Sequence, residues 1–366
     1  MQKNVIIDNY NEISHPKDYF SKEIIAWFCK NKRKLPWRVK ISQDNYSYLV
    51  LVSEFMLQQT QVKTVIPYFE KFTVKWPTVE LLAKAKEKEV LLFWQGLGYY
   101  SRGRNLLKSA KIIVSKYAGQ LPLREDELKK LPGVGDYTAA AIRSIAHNKK
   151  AVAIDGNVKR VIARYNGLEG TLDFNFNSIK RIANLICPDS NHRNYTQGIM
   201  ELGALICKPK KPDCINCVIS SNCIAFNNDK TDSIPLPKKK LKKKKLKCVT
   251  YLAIKNSDSV LLIQRKGKNI LKDQWELPST DWNKESVNKV SHNFPIKNIK
   301  WKRSKVNFNH SFTHIDLFNS VYVSKMDTYS SEIKKVAKSR WIYLHDLDSY
   351  PLTTMSKKTL ELHNLI

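Results

Sequence analysis

The chain has 366 residues, enough for two or three domains that each bury a core. Its 63 Lys and Arg outnumber 33 Asp and Glu, and the formal net charge of +30 favours a polyanionic partner such as DNA or RNA, although part of a lysine-rich surface needs no partner. No run of about 18 apolar residues occurs, which argues against a membrane span.

The first residues, MQKNVIIDNYNE, lack the apolar core and small-residue cleavage site of a signal peptide. We therefore expect a cytoplasmic protein in a reducing compartment, where disulfides are rare. From there to about residue 226, apolar runs such as EIIAWFCKNKRKL and LVSEFML recur in a helical rhythm between short turns. This pattern predicts an all-helical domain.

The acid Glu54 stands in an apolar stretch, YLVLVSEFMLQQT. Its neighbours three or four positions away on a helix are Val50, Leu51 and Leu57. Burial on that face would raise the pKa of Glu54 and keep a proton available for general acid catalysis. The alternative is an edge residue that faces solvent.

Aromatic and basic residues are interleaved in QGLGYYSRGR, residues 95 to 104. Tyr99 and Tyr100 lie beside Arg102 and Arg104, which suits base stacking combined with phosphate contacts. Two core tyrosines next to a basic turn would give the same pattern.

A glycine turn leads into a helix in LPGVGDYTAAAIRSIA, residues 131 to 146. Gly133 and Gly135 permit a tight turn with exposed amides. We expect Asp136 to cap the helix, and Tyr137 lies on its first turn. Exposed amides at a helix start bind anions, and for a cationic protein the expected anion is a DNA phosphate. An ordinary helix-turn-helix corner could look the same.

A second acid, Asp155, follows the apolar run AVAI and precedes GNVKRVIARY, at a predicted helix N-terminus. That position favours an ionised carboxylate. Asp155 and a protonated Glu54 would be a pair of acids whose pKa values are shifted in opposite directions. This pattern is expected for acid catalysis with a developing cation. The alternative for Asp155 is a plain helix N-cap.

Four of the seven cysteines fall in one short segment, CKPKKPDCINCVISSNC. Separated by six, two and five residues, they are Cys207, Cys214, Cys217 and Cys223. Four thiolates brought together in a reducing compartment indicate a metal site, and the spacing alone leaves zinc and an iron-sulfur cluster both open. The other three, Cys29, Cys187 and Cys248, are expected to be small buried apolar side chains.

Residues 227–248 are predicted to form a linker. Their sequence begins NNDKTDSIPLPKKKLKKKKLK, is rich in proline and lysine, has no apolar period and is typical of an extended connector. After it, VTYLAIK, SVLLIQR and SVYVSK predict short strands, with a turn at residues 256–259. We therefore expect a smaller mixed domain of strands and helices at residues 249–366.

Several of these segments together resemble the MutY-type adenine DNA glycosylases of the helix-hairpin-helix superfamily, which includes endonuclease III. The resemblance spans roughly residues 35 to 225 and is carried by the four-cysteine loop and by SEFMLQQTQV, GLGYYSRGRNL, LPGVGDYTAAAI, AIDGNVKRV and MELGALIC. It implies a helical glycosylase domain at residues 1–226, with a six-helix lobe at about 35–143 and a second lobe at 1–34 plus 144–226. DNA would lie between the lobes, and the four cysteines would hold one four-iron four-sulfur cluster.

The resemblance also implies a reaction, the hydrolysis of the glycosidic bond of an adenine flipped out of the DNA stack. Glu54 would protonate the adenine nitrogen N7, and Asp155 would stabilise the oxocarbenium-like sugar. Tyr137 and Asn157 would position the reacting groups. The residues implied to contact DNA are Gln59, which would wedge into the vacated stack, Tyr99, Gly133 and Gly135.

Tyr137 decides which glycosylase chemistry is implied. In the endonuclease III relatives a lysine stands at this place and forms a Schiff base with the sugar, which leads to strand cleavage. A phenol cannot form that imine, so the resemblance implies a monofunctional glycosylase that leaves the backbone intact. Other lysines, Lys159 among them, could still react weakly with an abasic sugar.

The C-terminal region resembles the Nudix-like domain appended to MutY proteins, through ILKDQWELPS at 270–279 and HSFTHIDL at 310–317. The glutamate-rich helix that holds magnesium in working Nudix hydrolases is missing from STDWNKESVNKVSHNF. The resemblance implies that Phe312, Thr313 and His314 recognise 8-oxoguanine opposite the adenine. A strand-edge loop with a satisfied histidine pair is the alternative.

The expected partner is double-stranded DNA with adenine opposite 8-oxoguanine or guanine. We expect the protein to be a monomer and not to bind a membrane. Two other functions stay open. One is a bifunctional glycosylase and lyase, against which Tyr137 and the extra domain argue. The other is a DNA-binding protein that carries a cluster and has no activity, which would require Glu54 or Asp155 to be inert.

Overall fold

The computed structural model describes residues 17–39, 44–238, 242–265, 274–284, 296, 299–312, 314–326 and 338–366. Contacts divide these residues into two compact units. The first comprises the described residues of Met1–Ala85 and Arg102–Lys239, and the second those of Lys86–Ser101 and Lys240–Ile366. The domain and lobe boundaries expected from the sequence stay predictions.

Helices account for the regular structure before residue 230. In chain order they are α1 Lys17–Asn31, α2 Tyr46–Leu57, α3 Val62–Lys75, α4 Val79–Lys84, α5 Glu87–Phe93, α6 Ser101–Tyr117, α7 Glu125–Lys129, α8 Asp136–Ala141, α9 Gly156–Tyr165, α10 Phe176–Leu185, α11 His192–Leu205 and α12 Ile224–Asn227. A π-helical turn, Ile142–Ala146, continues α8. Of these helices, α5 is grouped with the second unit. None of the described helices is long and apolar enough to cross a membrane.

The helix α2 runs through the interior of the first unit. Its sequence YSYLVLVSEFML is apolar on almost every face, and Leu49 to Met56 are all buried. A helix that is apolar all round is stable only when other elements surround it. Glu54 is therefore carried into the interior by the helix on which it stands.

A second core joins α1, α9 and α11. Two glycines of α11 allow the helices to approach closely: a Cβ at Gly198 would lie 2.8 Å from Ile24 Cγ2, and one at Gly203 would lie 2.6 Å from Asn157 Cβ. Any larger side chain at these positions would push the helices apart. Gly203 thus sets the distance between α11 and the first turn of α9.

The predicted glycine turn precedes α8, but Asp136 does not cap the helix as we expected. Gly135 occupies the N-cap position, and Asp136 is the first helical residue, with an exposed carboxylate 2.6 Å from Lys129 Nζ. Once inside the helix, this carboxylate pairs more readily with the lysine than with the amides of its own turn. Gly133 has φ +83°, and a Cβ there would lie 2.9 Å from both Asn105 Cβ and Phe55 Cε1, so the turn requires glycine.

The described part of the second unit contains a six-stranded mixed sheet. Its strands are β1 Lys244–Lys255, β2 Ser259–Gln264, β3 Trp275–Glu276, β4 Lys302–Ser311, β5 Ile315–Met326 and β6 Ser339–Tyr343. The order is β3-β2-β1-β5-β4, with β6 paired to β2, and β1 runs parallel to β5. The helix α13, Thr354–Glu361, belongs to the same unit. The predicted turn connects β1 to β2, with Lys255 opposite Ser259.

Part of the lysine run belongs to a strand. Lys244 to Lys247 begin β1 and pair with Ile315 to Phe318 of β5. The prediction of an extended connector is wrong for these four residues. Strand pairing uses backbone groups of residues distant in sequence, so lysines without an apolar period can still join a sheet.

Candidate active site

A cleft of about 800 Å³ opens in the first unit. Its lining comes from the segment before α2, α2 and the turn after it, the glycine turn with α8, the first turn of α9, and α11. Seven of the residues predicted to act in catalysis or DNA binding meet there: Glu54, Gln59, Gly133, Gly135, Tyr137, Asp155 and Asn157.

The carboxyl group of Glu54 lies at the inner wall of this cleft, 6 % exposed. Burial raises its pKa to about 7; a hydrogen bond donated by the Tyr137 hydroxyl opposes the rise, and the charge of Asp155 adds to it. The predicted burial is confirmed, and the solvent-facing alternative is wrong. Near neutral pH Glu54 therefore has a proton to give.

The carboxylate of Asp155 caps α9. Its Oδ1 accepts a hydrogen bond from the Val158 amide at 2.7 Å, and its Oδ2 accepts one from Asn157 Nδ2 at 3.1 Å. The N-cap position is confirmed, but the expected lowering of the pKa is wrong: burial raises the pKa of Asp155 despite these hydrogen bonds. The pKa values of both Glu54 and Asp155 are thus raised. Because the donors favour the charged form of Asp155, it is the acid that stays ionised when the two share one proton.

The phenol of Tyr137 remains neutral at ordinary pH. Burial and the charges of Glu54 and Asp155 raise its pKa well above the usual value. It can therefore act as a hydrogen-bond donor to Glu54 but not as an anionic nucleophile. Its place on the first turn of α8 follows from the turn at Gly133, which directs α8 toward α2.

Asn157 links Asp155 to the cysteine-rich loop through an arginine. Its Oδ1 accepts a hydrogen bond from Arg160 Nη2 at 2.9 Å, and Arg160 also donates to the carbonyls of Gly203 at 2.7 Å and Cys207 at 2.8 Å. The guanidinium group is buried and makes all these contacts at once. The orientation of Asp155 is thereby tied to the position of the first cysteine.

Sequence reasoning missed a charged group that also lines the cleft. Glu201 of α11, 2 % exposed, accepts paired hydrogen bonds from Arg33 at 2.8 Å and from Arg38 at 2.9 and 3.1 Å. Burial opposes ionisation, but the hydrogen bonds from Arg33 and then Arg38 lower the pKa of Glu201 to about 2. The sequence pattern that indicated Glu54 also applies to Glu201. Each is a single acid in an apolar segment, which is MELGALIC for Glu201.

Two of the residues predicted to contact DNA differ in their placement. Gln59 follows α2 at the rim of the cleft, exposed and with φ +54°. Tyr99 is 42 % exposed and is grouped with the second unit. Its role in DNA binding stays a prediction.

The four cysteines of the loop line one further cavity, together with Arg164, whose Nη1 lies 3.4 Å from Cys207 Sγ. Burial and then neighbouring cysteines raise the pKa of Cys214 and, to about 12, that of Cys217. A raised pKa favours the neutral thiol, and a bound metal favours the thiolate by its positive charge. Within the described residues, no three His, Cys, Asp or Glu side chains are placed to hold a single metal ion. Four cysteine sulfur ligands around one cavity are the donor set of an iron-sulfur cluster and also of a structural zinc ion.

The predicted recognition loop joins β4 to β5. Phe312 stacks on Trp282 with ring centroids 5.1 Å apart, and Arg265 lies 4.9 Å from the Trp282 ring. His314 is exposed, and its carbonyl accepts a hydrogen bond from the Lys244 amide at 3.0 Å. Thr313 lies outside the described residues.

Comparison with known proteins identifies the family to which the chain belongs. A model of the HhH-GPD superfamily base excision DNA repair proteins matches residues 52–178, and a NUDIX domain model matches residues 250–362. The adenine DNA glycosylase of Buchnera aphidicola subsp. Acyrthosiphon pisum (strain APS) is 35% identical over 350 residues, which are 94% of this chain and 97% of that protein. The chain belongs to the adenine DNA glycosylase family.

Other relatives agree with this membership. The adenine DNA glycosylase of Homo sapiens is 29% identical over 405 residues, covering 94% of this chain and 74% of that one. The structure of a thermostable thymine-DNA glycosylase has a TM-score of 0.51 and 30% identity, covering 57% of this chain and 95% of that chain. The predicted fold class, a helical helix-hairpin-helix glycosylase domain followed by a Nudix-like α+β domain, is confirmed. This adenine DNA glycosylase acts as an enzyme of base excision repair.

We predict that Glu54→Gln stabilises the protein in a pH-dependent way. The pKa of Glu54 rises from 4.5 to about 7 on folding, so protonation favours the folded state and stability falls as the pH rises between these values. At about pH 8 the substitution should raise the free energy of unfolding by about 3 kcal/mol, with much less effect at about pH 5. Denaturant unfolding at both pH values measures this, with the exposed Glu70→Gln as the control. Equal effects of Glu54→Gln at the two pH values would contradict it.

Proposed function

We propose that this enzyme hydrolyses the glycosidic bond of adenine paired with 8-oxoguanine or guanine and leaves the DNA backbone intact. The observation that carries the proposal is the buried Glu54 carboxyl, with a pKa of about 7, beside Tyr137 and Asp155 in one cleft. An acid that is half protonated near neutral pH is suited to general acid catalysis. The cleft has the volume of a site for a small ligand, which suits a single flipped nucleoside.

In the proposed reaction Glu54 gives its proton to the adenine nitrogen N7. The bond between N9 and C1′ then breaks, and its electron pair leaves with the neutral adenine. Asp155, which accepts hydrogen bonds from Val158 and Asn157, stabilises the developing positive sugar by its charge or by a transient bond to C1′. Water adds at C1′ and loses a proton, which leaves an abasic site.

The hydrogen bond from Tyr137 to Glu54 holds the acid in place without competing for its proton, because the phenol itself stays neutral. Asn157 holds Asp155 in turn. Gln59, exposed at the rim, would fill the gap that the flipped adenine leaves in the stack. The amides of the turn at Gly133 and Gly135 would hold a backbone phosphate.

The absence of lysine from the lining of the cleft supports a monofunctional enzyme. None of the described residues that line it is a lysine. Lys159, one turn beyond Asp155, has its Nζ 4.4 Å from the Phe176 ring and is not part of the lining. An amine attack on the sugar, which a lyase requires, would have to come from outside the described lining of the cleft.

For the metal group, we propose one four-iron four-sulfur cluster held by Cys207, Cys214, Cys217 and Cys223. When bound, such a cluster would supply the positive charge that favours the thiolate form of the four cysteines and would order their loop. The hydrogen bond from Arg164 to Cys207 would stabilise one of these thiolates. A monomer that acts in the cytoplasm remains our expectation.

The reaction predicts strand breaks that depend on alkali. In a single-turnover assay on a labelled duplex with adenine opposite 8-oxoguanine, breaks at the adenine should be seen only after hot alkali. Glu54→Gln should lower the rate of adenine release by at least about 100-fold, whereas the exposed Glu70→Gln should leave it unchanged. Breaks without alkali would mean that an amine attacks the sugar, contrary to the proposal.

The loop between β4 and β5 should determine preference for the damaged partner base. We compare the rate of excision of adenine opposite 8-oxoguanine with the rate for adenine opposite guanine. Phe312→Ala and His314→Ala should each lower the ratio of these two rates by about tenfold, because each removes one stacking or hydrogen-bonding contact. Single-turnover rates on both duplexes test this, with His345→Ala, an exposed histidine of the same unit, as the control. A ratio that stays constant in both loop variants would place lesion recognition elsewhere.

Iron analysis separates the proposed cluster from a zinc site. The purified protein should contain four iron atoms per chain, with the visible absorption of the cluster. Cys217→Ser should lose most of this iron, whereas Cys29→Ser, at an exposed position of α1, should keep it. One zinc per chain, or full iron content in Cys217→Ser, would refute the assignment.

A further inference from the structure

One face of α6 holds two loops of the active-site cleft together. Arg102 contacts the end of α2, Asn105 packs against Gly133, and Ser109 Oγ donates a hydrogen bond to the Pro132 carbonyl at 2.9 Å. These three residues lie three, four and seven positions apart and therefore share one side of the helix. The turn after α2 and the glycine turn before α8 thus share one support.

Of these three residues, Arg102 makes three hydrogen bonds to the end of α2. It is 6 % exposed, and its Nη1 donates hydrogen bonds to the carbonyls of Phe55 at 3.3 Å, Met56 at 2.8 Å and Gln58. The last carbonyls of a helix have no partner within the helix, and a cation at this end is favoured by the helix dipole. Arg102 therefore determines where α2 stops and how the chain leaves it.

The residue after this end has an unusual backbone conformation. Gln59 has φ +54°, a left-handed conformation that is costly for a residue with a side chain. Such a conformation persists only where surrounding contacts hold it. Several contacts hold the preceding residue. The Gln58 carbonyl accepts hydrogen bonds from Arg102 and from Thr60 Oγ1 at 3.4 Å, and Gln58 Nε2 donates to the Gly133 carbonyl and to Thr138 Oγ1, both at 3.3 Å.

We propose that Arg102 is a positioning residue for base extrusion, because it holds the turn at Gln58 that directs the Gln59 side chain toward the DNA stack. The inference rests on the role proposed above for Gln59. Arg102 does not touch the adenine or the sugar in this account. Its contribution passes through Gln59.

A double-mutant cycle tests this dependence. The variants Arg102→Lys, Gln59→Ala and their combination are compared in the full-length protein carrying Glu54→Gln, which blocks excision. The rate of base extrusion is followed by stopped-flow fluorescence of a 2-aminopurine placed next to the target adenine. Arg102→Lys should slow extrusion about tenfold, the loss expected for one hydrogen bond to a charged group. Gln59→Ala should slow it by about the same factor, because the side chain that fills the stack is lost. In the Gln59→Ala background, Arg102→Lys should add less than about twofold.

Controls separate positioning from general support of the fold. Ser115→Ala changes an exposed serine of the same helix, α6, and should leave the extrusion rate within about twofold. Thermal unfolding checks that each variant is folded at the assay temperature. Should Arg102→Lys fail this check, Arg102→Gln, which can still donate to one carbonyl, replaces it with the same expectation.

Two results would overturn the inference. A further tenfold loss from Arg102→Lys in the Gln59→Ala background would show that Arg102 acts independently of Gln59. An unchanged extrusion rate in Gln59→Ala alone would remove the role of Gln59 and this inference with it. Neither result bears on acid catalysis, which the alkali-dependent assay tests with Glu54 variants in the absence of these changes.

Discussion

The site depends on placing two carboxyl groups and a phenol together away from water. Glu54, Asp155 and Tyr137 line one cleft, and the charge of each acid raises the pKa of the phenol. Burial disfavours two negative charges in such a space, so a proton remains with the pair. Asp155 accepts hydrogen bonds from the Val158 amide and from Asn157, whereas Glu54 accepts one from Tyr137. We therefore assign the proton to Glu54. The proposed division of roles between acid and anion follows from this asymmetry.

The rest of the first unit holds these groups in place. Buried α2 carries Glu54, the turn at Gly133 brings Tyr137 to it, and close packing at Gly203 positions Asn157. From Asn157, hydrogen bonds through Arg160 reach the backbone of the cysteine loop. A cluster bound there would stabilise the loop whose carbonyl anchors Arg160. This connection gives the cysteine loop a physical route to Asp155 without requiring a redox reaction.

Local sequence patterns predicted the residues whose environment is set by their own helix. An acid in an apolar helical run is buried, as Glu54 is, and an acid between an apolar run and a helix becomes an N-cap, as Asp155 does. Features that depend on distant residues were not predictable in this way. The raised pKa of Asp155 comes from burial in the folded cleft, Glu201 is paired with arginines more than 160 positions away, and the lysines of β1 are paired with β5. Resemblance to a family supplied roles for Gln59 and the cysteines that composition and spacing left open.

The pH dependence of adenine release tests the central claim most directly. Under single-turnover conditions with saturating enzyme, the observed rate constant should be greatest below the Glu54 pKa of about 7 and fall about tenfold per pH unit above it, because only the protonated acid is active. At lower pH the rate should fall again as Asp155 takes up a proton. A rate that stays constant or rises between about pH 7 and 9 would contradict the account, because the proton would then come from a group other than Glu54.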